Sequence, residues 1–142
     1  MVITPSQRFL LESGFVLELL KQIPASVFWK DKNSVYLGCN DAFAHSLGLS
    51  SPEEIIGKTD YDLPTTKEES DAFRADDKQV MKSKQPKLNI EESQTLSNGK
   101  KVTLLTNKVP LLDSKKKVIG ILGIYHDITE RKQLGAMIES CV

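Results

Sequence analysis

Cysteine is scarce. The 142-residue chain has Cys39 and Cys141, too far apart for a Cys-x-x-Cys site and too few for a disulfide framework, so a reducing compartment fits best. Histidine is as rare, with only His45 and His126, and no cluster of His and Cys offers a structural metal its ligand set. No apolar run approaches the ~20 residues that span a bilayer, and the amino terminus lacks the pattern of a signal peptide. The net charge is zero, without the basic footprint expected of a domain that binds nucleic acid directly. Ser, His and Asp occur but in no motif that joins a nucleophile to a base, so no catalytic residue is assigned. What is present is the composition of a globular domain, 39% hydrophobic and 27% charged. These absences together place it in the cytoplasm, or facing the cytoplasm as part of something larger.

The segment 6-SQRFLLESGFVLELLKQI-23 is predicted to be a helix, capped by Ser6 and stopped by Pro24. Its apolar set is wider than one core-facing stripe needs. Phe9, Val16 and Ile23 fall at sevenfold spacing, with Leu19 and Leu20 between them. Such a helix either packs against a neighbouring subunit as well as its own domain, making a homodimer, or is buried wholly within one chain. Two short strands follow, 26–30 and 34–39, around the turn residues Asp31-Lys32-Asn33. Asn40 or Asp41 caps a short helix over 41–49, and Ser51-Pro52-Glu53-Glu54 opens another that Gly57 closes. A longer, highly charged helix is expected over 67–84, with Phe73, Val80 and Met81 as its apolar positions. Strands over 87–93, 100–112 and 117–128 complete the chain, with turns at Ser97-Asn98-Gly99 and Asp113-Ser114-Lys115. Strands at both ends with helices between them describe an α+β fold, an antiparallel sheet carrying its helices on one face.

These segments, in this order, resemble a PAS domain. The segment 27-VFWKDKNSVYLGCNDAFAHSLGL-49 is similar to the family's paired first strands and following helix, and 53-EEIIGKTDYDL-63 to its middle helical turns. The segments 99-GKKVTLLTNKVPLLD-113 and 118-VIGILGIYHDITERK-132 are similar to its last strands and exit motif. The resemblance implies a five-stranded antiparallel sheet of order 2-1-5-4-3 around a small-molecule pocket, with a sensory role and no catalysis. It divides the chain into a flanking dimerisation helix (1–23), a sensory domain (24–129) and the start of a linker helix (130–142) toward an effector. A histidine kinase is the first expectation for that effector, a diguanylate cyclase or transcriptional regulator the second, and a ligand-free dimerisation module the third.

Within that frame Asp127 and Glu130 have the spacing of a capping box, with Thr129 as a competing cap, so the last strand runs directly into the outgoing helix. Leu134, Met137, Ile138 and Cys141 supply an apolar seam on that helix. The flavin-adduct relatives carry a cysteine in the segment matching Gly57-Lys58-Thr59-Asp60-Tyr61-Asp62, where this chain has Asp60. Their glutamine on the last strand is matched by Tyr125. Haem-binding relatives use a histidine from the long helix, and residues 67–84 have none. Both cofactors are therefore disfavoured. Non-covalent FAD stays open, with Trp29 and Tyr125 flanking its ring, although two core aromatics are the simpler account. Aligning Tyr125 inward brings Ile121 and Gly123 with it, and the matching comparison turns Leu104, Thr106 and Lys108 inward. Phe43, Phe73, Val80, Met81, Leu88 and Ile90 then line the remainder of the pocket. An inward Lys108 needs an anion, whether Asp60, Asp62, Glu92 or a ligand carboxylate, unless it snorkels at the rim. Asp60 and Asp62 are otherwise expected to cap helical turns.

Overall fold

The computed structural model describes Val2, Pro5 and residues 14–140. Helix α1 (Phe15–Gln22) leads into β1 (Ser26–Asp31), β2 (Tyr36–Cys39) and α2 (Asp41–Ser46). Two 3-10 turns, Pro52–Ile55 and Asp60–Asp62, then precede the long α3 (Lys67–Ser83). Strands β3 (Lys87–Thr95), β4 (Lys101–Leu112) and β5 (Val118–Asp127) follow, and α4 (Thr129–Ser140) leaves the domain. The strands form one five-stranded sheet of order β2-β1-β5-β4-β3, antiparallel throughout, as the resemblance implied.

Local chemistry explains most boundaries. Asp31 Oδ1 accepts from the N–H groups of Asn33 and Val35, which folds the β1–β2 turn. Thr66 and Glu69 form a reciprocal capping box that starts α3. Asn40 caps α2 by accepting from Phe43 N–H at 3.1 Å, and the same carbonyl accepts from Val27 N–H at 3.0 Å. Its amide donates to Ala25 O at 2.8 Å and to Leu20 O at 3.4 Å, so one buried side chain joins β1, α2 and α1.

The period-2 alternation of β4 buries Val102, Leu104, Thr106 and Lys108 on one face, under α3 and the 3-10 turns. On the neighbouring strands Phe28, Lys30, Ile121, Gly123 and Tyr125 share that inner face by register. A Cβ on Gly123 would lie 2.1 Å from the Phe28 ring, so this glycine makes room for Phe28. The core joins Phe28, Tyr36, Phe43 and Tyr125 to Ile55, Leu63 and Leu104.

Two expectations about the first helix change. It is not continuous over 6–23: Gly14 has φ 84°, a left-handed conformation outside any helix, and α1 begins only after it. Phe9 lies outside the described residues. Burial wholly within one chain is also excluded for α1, none of whose residues is buried. Val16 and Leu19 are exposed, and Leu20 and Ile23 are half-covered. No helix among the described residues is long and apolar enough to cross a membrane.

Asn40→Ala removes a cap and strands the buried Val27 N–H, so unfolding in urea is expected to show a loss of about 2–4 kcal/mol.

Candidate functional site

The side chains that turn inward beneath the sheet surround a small cavity. Its apolar wall is Phe28, Tyr36, Phe43, Leu63, Phe73, Leu104 and Tyr125; its polar wall is Lys30, Asp60, Thr65, Glu92, Gln94 and Lys108. A water-sized sphere has about 20 Å³ in which to move, roughly the room one water needs.

The polar wall belongs to a buried charge cluster. Lys30, 1% exposed, donates to Asp60 Oδ2 at 2.7 Å and to Asp77 Oδ2 at 2.8 Å. Its ammonium also lies 4.7 Å from the centre of the Tyr36 ring. Tyr36 donates its hydroxyl to Asp60 Oδ1 at 2.6 Å, and Ser34 donates to Asp77. Lys108, equally buried, pairs with Asp77 Oδ1 at 3.0 Å, donates to Phe73 O at 3.0 Å and has Glu92 Oε1 at 3.7 Å. Asp77 therefore holds β1 and β4 together from α3. The backbone of Asp60 is anchored in turn by the Ser70 hydroxyl.

Isolated buried charges are costly, and mutual attraction offsets that cost only where the geometry is good. The proton affinities follow. Burial alone would raise the Asp77 carboxyl, but the ammonium groups of Lys30 and Lys108 outweigh it and hold it below its ordinary value. Burial would lower Lys108, yet Asp77 and Glu92 raise it. Glu92 differs: burial pushes its carboxyl up, and Lys108 offsets this only in part. Tyr36 is raised by burial and by the Asp60 carboxylate. Cys39, on β2, is buried and pushed up to about 12 by desolvation first and by Asp41 and Glu53 next, which keeps the thiol protonated.

Of the positions expected at the pocket, Phe43, Phe73, Leu104, Lys108 and Tyr125 line the cavity. Val80, Thr106 and Ile121 are buried behind it, and Thr106 donates to Glu92 Oε2 at 2.9 Å. Three expectations fail. Trp29 sits on the opposite face of β1, with its ring over Gly38, because alternation gives the inner face to Phe28 and Lys30; it cannot flank a flavin with Tyr125. Leu88 is 60% exposed, since a register shift between Lys87 and Ile90 turns it outward, and Ile90 is only half-covered and off the cavity wall. Lys108 does not snorkel: it is held inside, mainly by Asp77, which was not among its expected anions, with Glu92, which was, at 3.7 Å. Asp62 does cap its turn, accepting from Thr59 N–H at 2.9 Å, whereas Asp60 is a buried ion-pair partner.

Sequence reasoning passed over Lys30, Tyr36, Asp77 and Gln94. The signals were present. Lys30 stands two after Phe28 on a strand, and Asp77 lies on the helical stripe of Ser70, Phe73 and Val80, all buried. Both histidines are exposed, and among the described residues no group of three or more metal-ligating side chains converges.

At the exit, Asp127 Oδ1 accepts from Thr129 N–H at 2.9 Å and from the Thr129 hydroxyl. Thr129 Oγ1 accepts from Thr103 N–H at 2.8 Å, and Ile128 N–H reaches Thr103 O at 2.8 Å. The expected return bond from Glu130 does not form. Asp127 is still paired with Leu104 in the sheet, so the helix begins one residue later than a capping box at Asp127 requires.

Fold and cavity together define a sensory module of the PAS class, and the family model for the PAS fold matches residues 20–133. The chain belongs to that family. Over 122 residues it is 26% identical to the aerobic respiration control sensor protein ArcB of Escherichia coli K12, covering 86% of this chain and 15% of that protein. VqmA of Vibrio cholerae, described as a dimer with a target DNA, aligns with TM-score 0.73 and 27% identity over 82% of this chain and 52% of its own. The PAS domain of Bordetella pertussis BvgS shares the fold at TM-score 0.59 and 23% identity, covering 92% and 96%. The chain thus spans about 15% of the curated relatives it matches.

Asp77→Ala leaves Lys30 and Lys108 short of a counter-charge and is expected to cost about 3–5 kcal/mol in chemical denaturation. The depressed Asp77 carboxyl contributes stability above its ordinary 3.8, and that contribution disappears as pH falls through its lower folded value. Glu92 has the opposite sign: its contribution is whole below 4.5 and lost as pH rises through its raised folded value. Stability measured from pH 4.5 toward neutrality should therefore climb more in Glu92→Gln than in the parent chain.

Proposed function

We propose that this PAS domain senses a small molecule in the inner cavity and relays its occupancy through β5 and α4 to an effector that follows. One observation carries this reading. Tyr125 lines the cavity, and the same strand enters the outgoing helix at Thr129, with no loop between them. A displacement of β5 against β4 has to be transmitted through the Asp127–Thr129–Thr103 bonds. The segment itself acts as a receiver and not as a catalyst.

The similarity to ArcB supports a sensor histidine kinase as the effector-bearing protein. The similarity to VqmA, at nearly the same identity and with a target DNA in its description, supports a transcriptional regulator as the second reading. In either setting we assign the dimer contact to α1, whose Phe15, Val16, Leu17 and Leu19 are all exposed. The exposed Leu134, Met137 and Ile138 continue the contact along α4.

Light scattering of the chain at high concentration should report a dimer, and Val16→Asp with Leu19→Asp should return it to a monomer. A monomeric parent chain would remove the α1 assignment. For the relay, Thr129→Val deletes the hydroxyl that both accepts from Thr103 and donates to Asp127. Amide exchange at residues 128–132 should then accelerate about two- to tenfold, the equivalent of one net hydrogen bond, while the exchange of β1 stays unchanged.

A further inference from the structure

The cavity wall contains two buried acceptors that the protein leaves without hydrogen-bond donors. Gln94 is 4% exposed and its Oε1 has no partner among the described residues. Glu92, whose side chain is 9% exposed, uses Oε2 for Thr106, while Oε1 has no donor hydrogen bond; Lys108 stands 3.7 Å from it, and the Asp76 carboxyl lies beside the same side chain and helps to raise its proton affinity. A buried acceptor without a donor is costly, so both mark a place where a donor belongs.

The charges point the same way. Asp60, Asp76, Asp77 and Glu92 are set against Lys30, Lys87 and Lys108, one more carboxylate than ammonium. The two inner ammonium groups are already committed, Lys30 to Asp60 and Asp77, Lys108 to Asp77 and Phe73 O. Neither is free to receive a ligand carboxylate, which would also add a second uncompensated negative charge.

The apolar wall suits a cation. Phe28, Tyr36, Phe43 and Tyr125 pack with ring centres 5.2–6.4 Å apart. The protein already rests its own ammonium groups on such faces, Lys30 on Tyr36 and Lys108 at 5.8 Å from Phe73.

We infer that the cavity receives a small protonated amine, whose N–H groups donate to Glu92 Oε1 and Gln94 Oε1 and whose charge balances the buried cluster against the aromatic wall. This rests on the ligand-sensing reading above and gives it a chemical class. The raised Glu92 carboxyl agrees with it, because an arriving cation stabilises the ionised form that burial disfavours. With room for little more than one water, the ligand has few heavy atoms, or the Phe43 and Phe73 side chains turn to admit it.

Isothermal titration of the intact chain at neutral pH, with methylamine, benzylamine, benzyl alcohol and benzoate, tests the class, alongside native mass spectrometry of the protein as purified. The expected result is benzylamine or methylamine binding at least about tenfold more tightly than benzyl alcohol, with no benzoate binding. Glu92→Gln, checked for folding by its unfolding midpoint, should lose about tenfold or more of amine affinity while leaving benzyl alcohol unaffected, and Gln94→Leu should weaken amine binding less. Amine affinity unchanged in Glu92→Gln, or alcohol or benzoate binding as well as amine, overturns the inference. A co-purified metabolite without an amine overturns it and leaves ligand sensing intact. A chain that carries no added mass and binds none of the four probes counts against both.

Discussion

Asp77 is the constraint on which the interior depends. It is a carboxylate with no exposed surface, in the middle of a helix, with an ammonium from β1 on one oxygen and an ammonium from β4 on the other. Those strands are not neighbours: β5 lies between them. The ion pairs therefore fix α3 over the centre of the sheet, and with it the depth and width of the cavity. Hydrophobic residues of similar volume would hold the layers together at least as firmly. What the charges add is position, because directional bonds admit one placement of the helix where oily contacts admit several.

The same arrangement connects the interior to the exit. Lys108 and Leu104 come from β4, Tyr125 comes from β5, and Thr103, next to Leu104, receives the first residues of α4. Cavity wall and departing helix thus share the same two strands, the helix start being held by the backbone N–H and carbonyl of Thr103.

Much of the architecture was legible because its signals are local. Strand-forming runs over 100–112 and 117–128 gave the strands and the turn residues gave their ends, while the resemblance, extended by period-2 alternation, gave their faces. The interior charges were harder to foresee because each is an exception to the pattern that located its element. A lysine on the core face of a strand makes sense only with its partners, and those lie 30 and 47 residues away from Lys30 in the chain. Trp29 misled for a related reason: a large aromatic next to Phe28 competes for the inner face, and the alternation becomes assigned only through the cross-strand partners, Gly123 under the Phe28 ring and Gly38 under the Trp29 ring. At the exit, spacing alone suggested a reciprocal cap between Asp127 and Glu130. The strand holds its pairing one residue longer than that motif allows, so Asp127 takes the Thr129 N–H and hydroxyl alone, and Thr129 ties the helix start to Thr103.

The shared carboxylate also limits how this sequence can drift. Asp77 answers to two lysines and Lys30 to two aspartates, so no single replacement within the set leaves every charge matched. A descendant that abandons one member has to change others at nearly the same time or pass through an unstable intermediate. Lys30, Asp60, Asp77 and Lys108 should accordingly travel through the lineage as a linked group, inherited or discarded together, while the apolar lining around them is free to vary one residue at a time and so to retune which molecule fits.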